Sequence, residues 1–282
     1  MSNSKDVFAW LVSHISLDEP PDEVKSIAYL LMDHEYGLSR SQILAGSPLA
    51  AADLTRLKQL VARINLGEPV QHILGEQHFY GRPFKVNQDV LIPRPETETV
   101  ITCAVEYARH LNKQQLSILD IGTGSGCLAI TLDLEMEQAQ VVGTDISLLA
   151  LDVAMANNLF HKASVRFIKN DILNDPLPEG PFDLIVSNPP YVTSKEKSDM
   201  KINVLHFEPH TALFTPESDP LFFYRSILSK SVNQLCPGGM LIVEINEKYG
   251  GEIADLFLYH RFQKVEILVD LAGKDRVVRG IH

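Results

Sequence analysis

A glycine-rich turn at residues 122–126 is the feature that most constrains the fold of this chain. It follows an apolar run at residues 116–121, which predicts a short buried strand, and it precedes an amphipathic pattern that predicts a helix. Glycines between a strand and a helix let a ligand approach the backbone closely, over the free amides of the helix N-terminus. The sequence therefore predicts a ligand site at this turn.

The spacing of the glycines indicates which ligand the turn accepts. A dinucleotide fingerprint has its third glycine three places after the second, but here Gly126 follows Gly124 directly after Ser125, and position 127 is Cys. A second predicted strand, residues 140–144, ends at Asp145, roughly where an acidic residue meets ribose hydroxyls in a βαβ unit. These features favour an adenosine-bearing ligand without a bound pyrophosphate.

The tetrapeptide Asn188-Pro189-Pro190-Tyr191 follows another predicted strand, residues 182–187. The Asn188 side-chain oxygen and a neighbouring backbone carbonyl, held by two prolines with fixed φ angles, form a rigid pair of hydrogen-bond acceptors. Such a pair can hold the planar NH₂ group of an amide or an exocyclic amine. The alternative is an ordinary turn after a strand, because Asn-Pro is common in turns.

Helical and strand patterns alternate from about residue 94 to the end of the chain. This alternation predicts an α/β fold with a doubly wound, mostly parallel sheet, its ligand at the carboxyl ends of the strands and an antiparallel strand pair at the end. Apolar positions near a period of 3.6 predict a small helical bundle over residues 1–70, which we interpret as a substrate-docking domain. A β-hairpin within residues 71–92 is expected to connect it to a catalytic domain at residues 93–282.

Composition and charge narrow the range of possible functions. The net charge of −11 disfavours stable nucleic-acid binding, whereas a basic protein partner is easier to accommodate. Three cysteines without a C-x-x-C spacing indicate a reducing cytoplasm, and ten histidines show no metal-ligand spacing. No apolar run approaches the length of a membrane span. We therefore expect a cytoplasmic protein with no metal and no membrane association.

Taken together, the motifs at residues 120–126, 143–147 and 188–191 resemble a class I S-adenosylmethionine-dependent methyltransferase that acts on planar nitrogen. Within that class the chain resembles the release factor N(5)-glutamine methyltransferases of the PrmC/HemK family. Further stretches match this family, and the most specific is the Ile-Pro-Arg-Pro-Glu-Thr-Glu segment. These stretches are residues 68–75, 79–84, 92–98 and 270–276.

This resemblance implies a seven-stranded class I methyltransferase sheet, S-adenosylmethionine as cofactor, and peptide chain release factors as the protein substrate. The methyl group would go to the side-chain amide nitrogen of the glutamine in a Gly-Gly-Gln segment. The implied cofactor-binding residues are Gly122, Thr123, Gly124, Ser125, Gly126, Asp145, Ile172 and Asn188. The implied catalytic residues, which hold the substrate glutamine, are Asn188, Pro189, Pro190 and Tyr191. Arg94 and Glu96 are expected to pair with each other on the approach to the amide.

An amide nitrogen is a poor nucleophile because its lone pair is delocalised into the carbonyl. Alignment of that lone pair therefore matters more than a strong base, and we expect no general base. Two other functions remain open. One is an exocyclic-amine methyltransferase acting on adenine or guanine in nucleic acid, since the same motif serves flipped bases. The other is a methyltransferase-like binding module without catalysis.

Overall fold

The computed structural model describes residues 3–49, 54–111, 113–216, 219–270 and 272–282, so Leu271 of the tail motif lies outside the described residues. The chain divides into two compact units. One consists of the chain up to Gly75 together with Lys201–Phe207, and the other of Glu76–Met200 together with Glu208–His282. The grouping of the segment Lys201–Phe207 with the N-terminal unit was not predicted from the sequence.

The N-terminal unit is helical. Its helices are α1 (Ser4–His14), α2 (Pro21–Tyr36), α3 (Arg40–Ala45), α4 (Leu54–Asn65), α5 (Val70–Leu74) and α9 (Ile202–Phe207). Apolar residues at helical spacing, among them Val7, Leu11 and Ile64, are buried together in its core. Asn3 caps the N-terminus of α1, because its side-chain oxygen accepts the Asp6 N–H at 2.9 Å and so satisfies a free amide of the first turn.

A two-stranded antiparallel hairpin opens the second unit, as the sequence predicted. Strand β1 (Glu76–Phe79) pairs with β2 (Arg82–Lys85), and the turn between them consists of Tyr80 and Gly81. Both turn residues have positive φ angles, 50° and 74°. Two such residues match the right-handed twist of the flanking strands, which is why a two-residue turn suffices here.

The main sheet confirms the predicted doubly wound, mostly parallel architecture. Its seven strands are β3 (Ser117–Ile121), β4 (Gln140–Asp145), β5 (Arg166–Lys169), β6 (Phe182–Ser187), β7 (Leu235–Glu244), β8 (Gln263–Val269) and β9 (Asp275–Ile281). They lie in the order β5-β4-β3-β6-β7-β9-β8, and only β9 runs against its neighbours. Strand β3 has β4 on one side and β6 on the other, so a ligand crevice is expected at their carboxyl ends.

Helices cover both faces of this sheet. They are α6 (Glu98–Leu111), α7 (Cys127–Glu135), α8 (Leu148–His161), α10 (His210–Leu213), α11 (Phe222–Ser231) and α12 (Gly250–Tyr259). Short 3₁₀ helices lie at Pro95–Thr97, Ser194–Asp199 and Glu247–Tyr249. Because strand side chains alternate between faces, Val186 packs in the cluster beneath α6 and α7, while Ile185 packs with α11 and α12. No helix among the described residues is long and apolar enough to cross a membrane.

Candidate active site

A cavity of about 440 Å³ opens at the carboxyl ends of β3, β4 and β6. The residues that follow each of these three strands line it, in agreement with the expected position of the ligand. Its volume lies within the range of roughly 300–1,000 Å³ that is typical of small-molecule sites. The main groups of lining residues are 89–91, 121–125, 144–147, 170–173, 187–190, 211–212 and 214–216.

The glycine turn presents bare backbone to this cavity. Gly122 and Gly124 have φ angles of 76° and 54°, and a Cβ atom built on either would have no atom within 4 Å. A ligand can therefore approach their backbone closely. Gly126 differs, because it does not line the cavity and its Cβ would lie 2.9 Å from the side chain of Ile130. A glycine is therefore needed at position 126 because a larger residue would collide with α7. It is not needed there to leave room for a ligand.

The side chain of Asp145 is held by the backbone on both of its oxygens. Oδ2 accepts the N–H of Gly124 and Oδ1 accepts the N–H of Ser147, each at 2.9 Å. Burial raises the pKa of this carboxyl group, although the backbone hydrogen bonds act against that effect. Each carboxylate oxygen has a second lone pair, so Asp145 can still accept hydrogen bonds from ligand hydroxyls in the cavity.

Behind the turn lies a fully buried acid, Asp120. The Thr123 hydroxyl donates to its Oδ2 at 2.6 Å, while its buried Oδ1 has no hydrogen-bond partner among the described residues. Burial raises the pKa of Asp120 to about 7. A buried carboxyl oxygen without a partner is costly, and a nearby cationic ligand group would relieve that cost.

Ile172 borders the same cavity after β5. Its backbone carbonyl accepts a hydrogen bond from Nζ of Lys230 at 2.6 Å, which anchors this segment to α11. Ile146, which follows β4, also lines the cavity. Two branched apolar side chains therefore flank the part of the cavity that follows β4 and β5.

Asn188 lies where the large cavity meets a smaller one of about 160 Å³. Its Nδ2 donates to the Thr97 hydroxyl oxygen at 3.2 Å, whereas no described residue donates to its Oδ1. Pro189 lines both cavities and Pro190 only the larger. The Asn188 oxygen and the adjacent backbone carbonyls are thus available acceptors at the junction of two spaces.

Tyr191 lines the smaller cavity only. Its hydroxyl donates to Oε1 of Glu244 at 3.1 Å, and Glu244, the last residue of β7, is fully buried. Burial raises the pKa of Tyr191, and the neighbouring Glu244 raises it further. Tyr191 therefore stays neutral at physiological pH and acts as a hydrogen-bond donor toward the core.

The expected pairing of Arg94 with Glu96 was wrong. Arg94 forms its ion pair with Glu208, whose other carboxylate oxygen accepts the N–H of Ile92 at 3.1 Å. Glu208 is 4% exposed, so its charge requires a close cationic partner. This contact ties the segment before the 3₁₀ helix at Pro95–Thr97 to the segment before α10, and both segments line the cavities.

Comparison with known proteins identifies the family. Residues 105–212 match the methyltransferase small domain and residues 13–75 match the PrmC N-terminal domain. A release factor glutamine methyltransferase of Bacteroides thetaiotaomicron is 40% identical over 262 residues, covering 92% of this chain and 93% of that protein. One of Bacillus subtilis is also 40% identical and covers 90% of each chain. The chain belongs to the release factor glutamine methyltransferase family.

The fold agrees with this assignment. The crystal structure of a methyltransferase from Pyrococcus furiosus, 18% identical in sequence, superposes with a TM-score of 0.52. The match covers 80% of this chain and 98% of that one. At this identity the likeness concerns the fold alone.

The cofactor of this methyltransferase is S-adenosylmethionine. The cavity fits that molecule in three respects. Gly122 and Gly124 leave space against their backbone, Asp145 offers acceptors for hydroxyl groups, and Asp120 leaves a buried oxygen unsatisfied behind the turn. The described parts of the chain contain no cluster of three His, Cys, Asp or Glu side chains that could hold a metal ion.

The site also contains three residues that were not predicted from the sequence as site residues. Thr97, Glu208 and Glu244 are buried polar residues in contact with Asn188, Arg94 and Tyr191, respectively. Glu244 had a usable signal, because a charged residue that ends an apolar strand at the carboxyl edge of a parallel sheet is a candidate site residue. Thr97 lies in the family-matching segment 92–98, but nothing in the local sequence of Thr97 or Glu208 indicates which distant side chain each contacts.

Proposed function

We propose that this chain transfers a methyl group from S-adenosylmethionine to the side-chain amide nitrogen of the glutamine in the Gly-Gly-Gln segment of peptide chain release factors. The observation that carries the proposal is the position of Asn188, at the junction of the two cavities with Oδ1 free to accept. Membership of the release factor glutamine methyltransferase family gives the class of substrate.

The larger cavity is proposed to hold the cofactor. The backbone of residues 122–125 borders its methionine end, the Asp145 carboxylate accepts its ribose hydroxyls, and Ile172 flanks its adenine. The buried oxygen of Asp120 favours a positive charge on the other side of the turn. When bound, S-adenosylmethionine supplies an electrophilic methyl group on a sulfonium.

The smaller cavity is proposed to receive the glutamine side chain. It is lined by Tyr191 and Arg94 and shares Asn188 and Pro189 with the larger cavity. An amide that enters there would meet Asn188 at the boundary with the larger cavity, beside the proposed cofactor position.

Asn188 and the Pro189 carbonyl would accept the two N–H groups of the substrate amide. Holding both hydrogens fixes the plane of the NH₂ group, so its lone pair is directed toward the larger cavity and away from conjugation with the carbonyl. The Tyr191 ring packs beside the amide, and its hydroxyl is already committed to Glu244. No base is required before the new bond forms, because the proton is lost only after the nitrogen becomes positively charged.

The N-terminal helical unit is proposed to dock the release factor, with the domain boundary near residue 70. A single glutamine side chain is too small to distinguish a release factor from other proteins, so selectivity needs contacts remote from the reacting nitrogen. We also propose a cytoplasmic location, because a substrate of the translation machinery would be found there.

A parallel assay tests the function. Labelled S-adenosylmethionine is supplied with a release factor, with its Gly-Gly-Gln variant in which Gln is replaced by Ala, and with bulk DNA and RNA. We expect label on the release factor alone. Label on the Gln→Ala protein would contradict the proposed target atom, and label on DNA or RNA would favour the exocyclic-amine alternative, which the relatives' names do not support.

A further inference from the structure

Arg94 lies where the two cavities meet. Of the described residues that line both cavities, it is the only one with a charged side chain. The others are Leu91, Asn188, Pro189 and Ala212. The Arg94 side chain is 30% exposed, whereas its ion-pair partner Glu208 is buried. An accessible cation therefore lies beside the place where the substrate amide and the cofactor are proposed to meet.

The Arg94 guanidinium has unused hydrogen-bond donors. A guanidinium carries several N–H groups, and Nη2 of Arg94 donates to Oε1 of Glu208. No described residue accepts a hydrogen bond from its Nε or Nη1. Glu208 is itself fixed, because its other carboxylate oxygen accepts the Ile92 N–H at 3.1 Å. The remaining donors of Arg94 are therefore held by an anchored partner at a residue that lines both cavities.

The side-chain carbonyl oxygen of the bound glutamine needs a donor. Asn188 and the Pro189 carbonyl accept only the N–H groups of the amide, and the carbonyl oxygen loses its water when it enters the smaller cavity. Of the other polar side chains that line this cavity, Glu96 is a carboxylate, and Asn188 and Tyr191 already donate to buried partners. Arg94 is therefore the available side-chain donor in the described part of the cavity.

The charge of the ion pair matters as well as its donors. A guanidinium without a counter-ion would attract the carboxylate of a glutamate side chain more strongly than a neutral amide, and it would repel the sulfonium of the cofactor. The buried carboxylate of Glu208 cancels the charge of Arg94 and leaves N–H donors in place. Glu96 lines the smaller cavity, so a carboxylate that enters there is also repelled by a like charge.

We propose that Arg94 donates a hydrogen bond to the side-chain carbonyl oxygen of the substrate glutamine, and that Glu208 cancels its charge so that the site selects an amide and rejects a carboxylate. This role rests on the proposed function, because it requires the glutamine side chain to enter the smaller cavity. A hydrogen bond to the carbonyl oxygen does not make the amide nitrogen more nucleophilic, since it draws the lone pair toward the carbonyl. The effect of Arg94 should therefore appear mainly in KM and less in kcat.

Calorimetric titration of the full chain with two release factors, without cofactor, measures this selectivity in the absence of turnover. One release factor has its Gly-Gly-Gln segment intact, and the other carries Glu in place of that Gln. The two proteins share every remote contact, so the ratio of their dissociation constants reports on the side chain in the cavity. The original enzyme should bind the Gln form more tightly, and equal or tighter binding of the Glu form would overturn the proposal.

Glu208→Gln keeps the size of the side chain and removes its charge. Since the charge of Arg94 is then no longer cancelled, the ratio should shift toward the Glu form by about tenfold or more. An unchanged ratio in a folded Glu208→Gln enzyme would overturn the proposal.

The double variant with Arg94→Met and Glu208→Gln carries neither charge. It should lose the shift toward the Glu form, and its KM for the Gln form should rise by roughly tenfold to a hundredfold because the donor is gone. This variant buries no unpaired charge, so it also serves if Glu208→Gln alone does not fold. An unchanged KM in the double variant would overturn the proposal.

Asp183→Asn is the matched control. Asp183 resembles Glu208, because its buried carboxylate pairs with a cation, Lys113, and accepts a backbone N–H, that of Ser117 at 2.9 Å. Asp183 lies on β6 and lines neither cavity. This variant should keep the original ratio. The same shift in Asp183→Asn as in Glu208→Gln would assign the effect to the overall charge of the protein and overturn the proposal.

Cofactor titration of the double variant tests another role for Arg94. We expect the affinity for S-adenosylmethionine to change little. A loss of cofactor affinity as large as the rise in KM would mean that Arg94 binds the carboxylate of the cofactor, which overturns the proposal. An unsubstituted enzyme that does not methylate release factors refutes the proposed function and this role together. An active enzyme whose ratios are the same in all variants refutes only the role of Arg94 and Glu208.

Discussion

The carboxylate of Asp145 and the backbone amide of Gly124 are joined by a hydrogen bond of 2.9 Å between Oδ2 and N. This bond connects the end of β4 to the turn that follows β3, so the proposed ribose acceptor also holds the glycine turn in place. Since Ser147 N–H occupies the other oxygen, the carboxylate cannot rotate without breaking a backbone contact. The two parts of the proposed cofactor site are therefore mechanically coupled.

Asp145→Ala should weaken cofactor binding by about 1.5–3 kcal/mol, the usual range for hydrogen bonds to a charged group. Titration calorimetry with S-adenosylmethionine measures this directly. Asp152→Ala is a suitable control, because Asp152 is exposed on α8 and does not line the cavity. Unchanged affinity in Asp145→Ala would mean that the ribose lies elsewhere.

Asn188→Ala should abolish methyl transfer and largely spare cofactor affinity. The substitution removes one acceptor of the substrate NH₂ group, while the glycine turn and Asp145 remain in place. A loss of several kcal/mol in barrier stabilisation is plausible for a group that acts in alignment and charge placement. The measurement is single-turnover transfer to a release factor beside calorimetry with the cofactor, and near-normal turnover at saturating substrate would refute the role of Asn188.

Two glycines of the same turn should respond differently to alanine. Gly124→Ala has free space for its Cβ, so it should cost the fold only the strain of a positive φ, about 1–2 kcal/mol, but it should obstruct the cofactor. Gly126→Ala brings Cβ to 2.9 Å from Ile130, so its main effect should be on stability. Thermal unfolding and cofactor titration of both variants test this contrast, and a reversed pattern would contradict it.

The stability of the protein should depend on the protonation of Glu244. Burial raises the pKa of this carboxyl from 4.5 to about 7, so the folded state binds the proton more tightly than the unfolded state. Its contribution to the free energy of unfolding is therefore most favourable at low pH and is lost as the pH rises from about 4.5 to about 7. Above that window the ionised carboxylate destabilises the fold.

Glu244→Gln should accordingly raise the free energy of unfolding at pH 8, by about 1–3 kcal/mol if its hydrogen bonds are kept, and change it less at pH 5. Urea unfolding at the two pH values provides the measurement. That result would show that burying the Glu244 carboxyl group costs stability at a pH where it is ionised. A variant that is less stable at pH 8 than at pH 5, relative to the original chain, would contradict the assigned pKa direction.

The sequence predicted most of the sheet, because its strands are continuous apolar runs bounded by glycine, proline and polar residues. The start of β7 at Leu235 is not visible in the sequence, because the continuous apolar run of this strand begins only at residue 240. This part of the strand lacks a strand-like sequence pattern, because it contains Pro237, Gly238 and Gly239, and proline and glycine are poor strand formers. The pairing of β7 with β6 is irregular at the same place.

Local sequence also predicted the glycine turn and the Asn-Pro-Pro-Tyr segment, whose function depends on neighbouring residues in the chain. Contacts between distant residues could not be predicted in this way. The ion pair of Lys201 with Glu19, at 2.7 Å, joins residues far apart in the sequence within the N-terminal unit. The contact between Thr97 and Asn188 could not be predicted either, because only the fold brings these two distant polar side chains together.

The docking role of the N-terminal unit predicts a difference between large and small substrates. Deleting residues 1–66 should leave cofactor binding intact and greatly lower kcat/KM for an intact release factor. A short Gly-Gly-Gln peptide, which does not reach the docking surface, should lose much less. The comparison is made with both substrates on both forms of the enzyme.

Cofactor titration and thermal unfolding of the truncated chain serve as the control, because the deletion removes the helices with which Lys201–Phe207 forms one compact unit. A truncated enzyme that binds the cofactor normally and discriminates against the intact release factor supports docking by the N-terminal helices. If a still-folded truncated enzyme loses activity equally on protein and peptide, the N-terminal unit supports the active site structurally, and selectivity must come from contacts made by the catalytic unit itself.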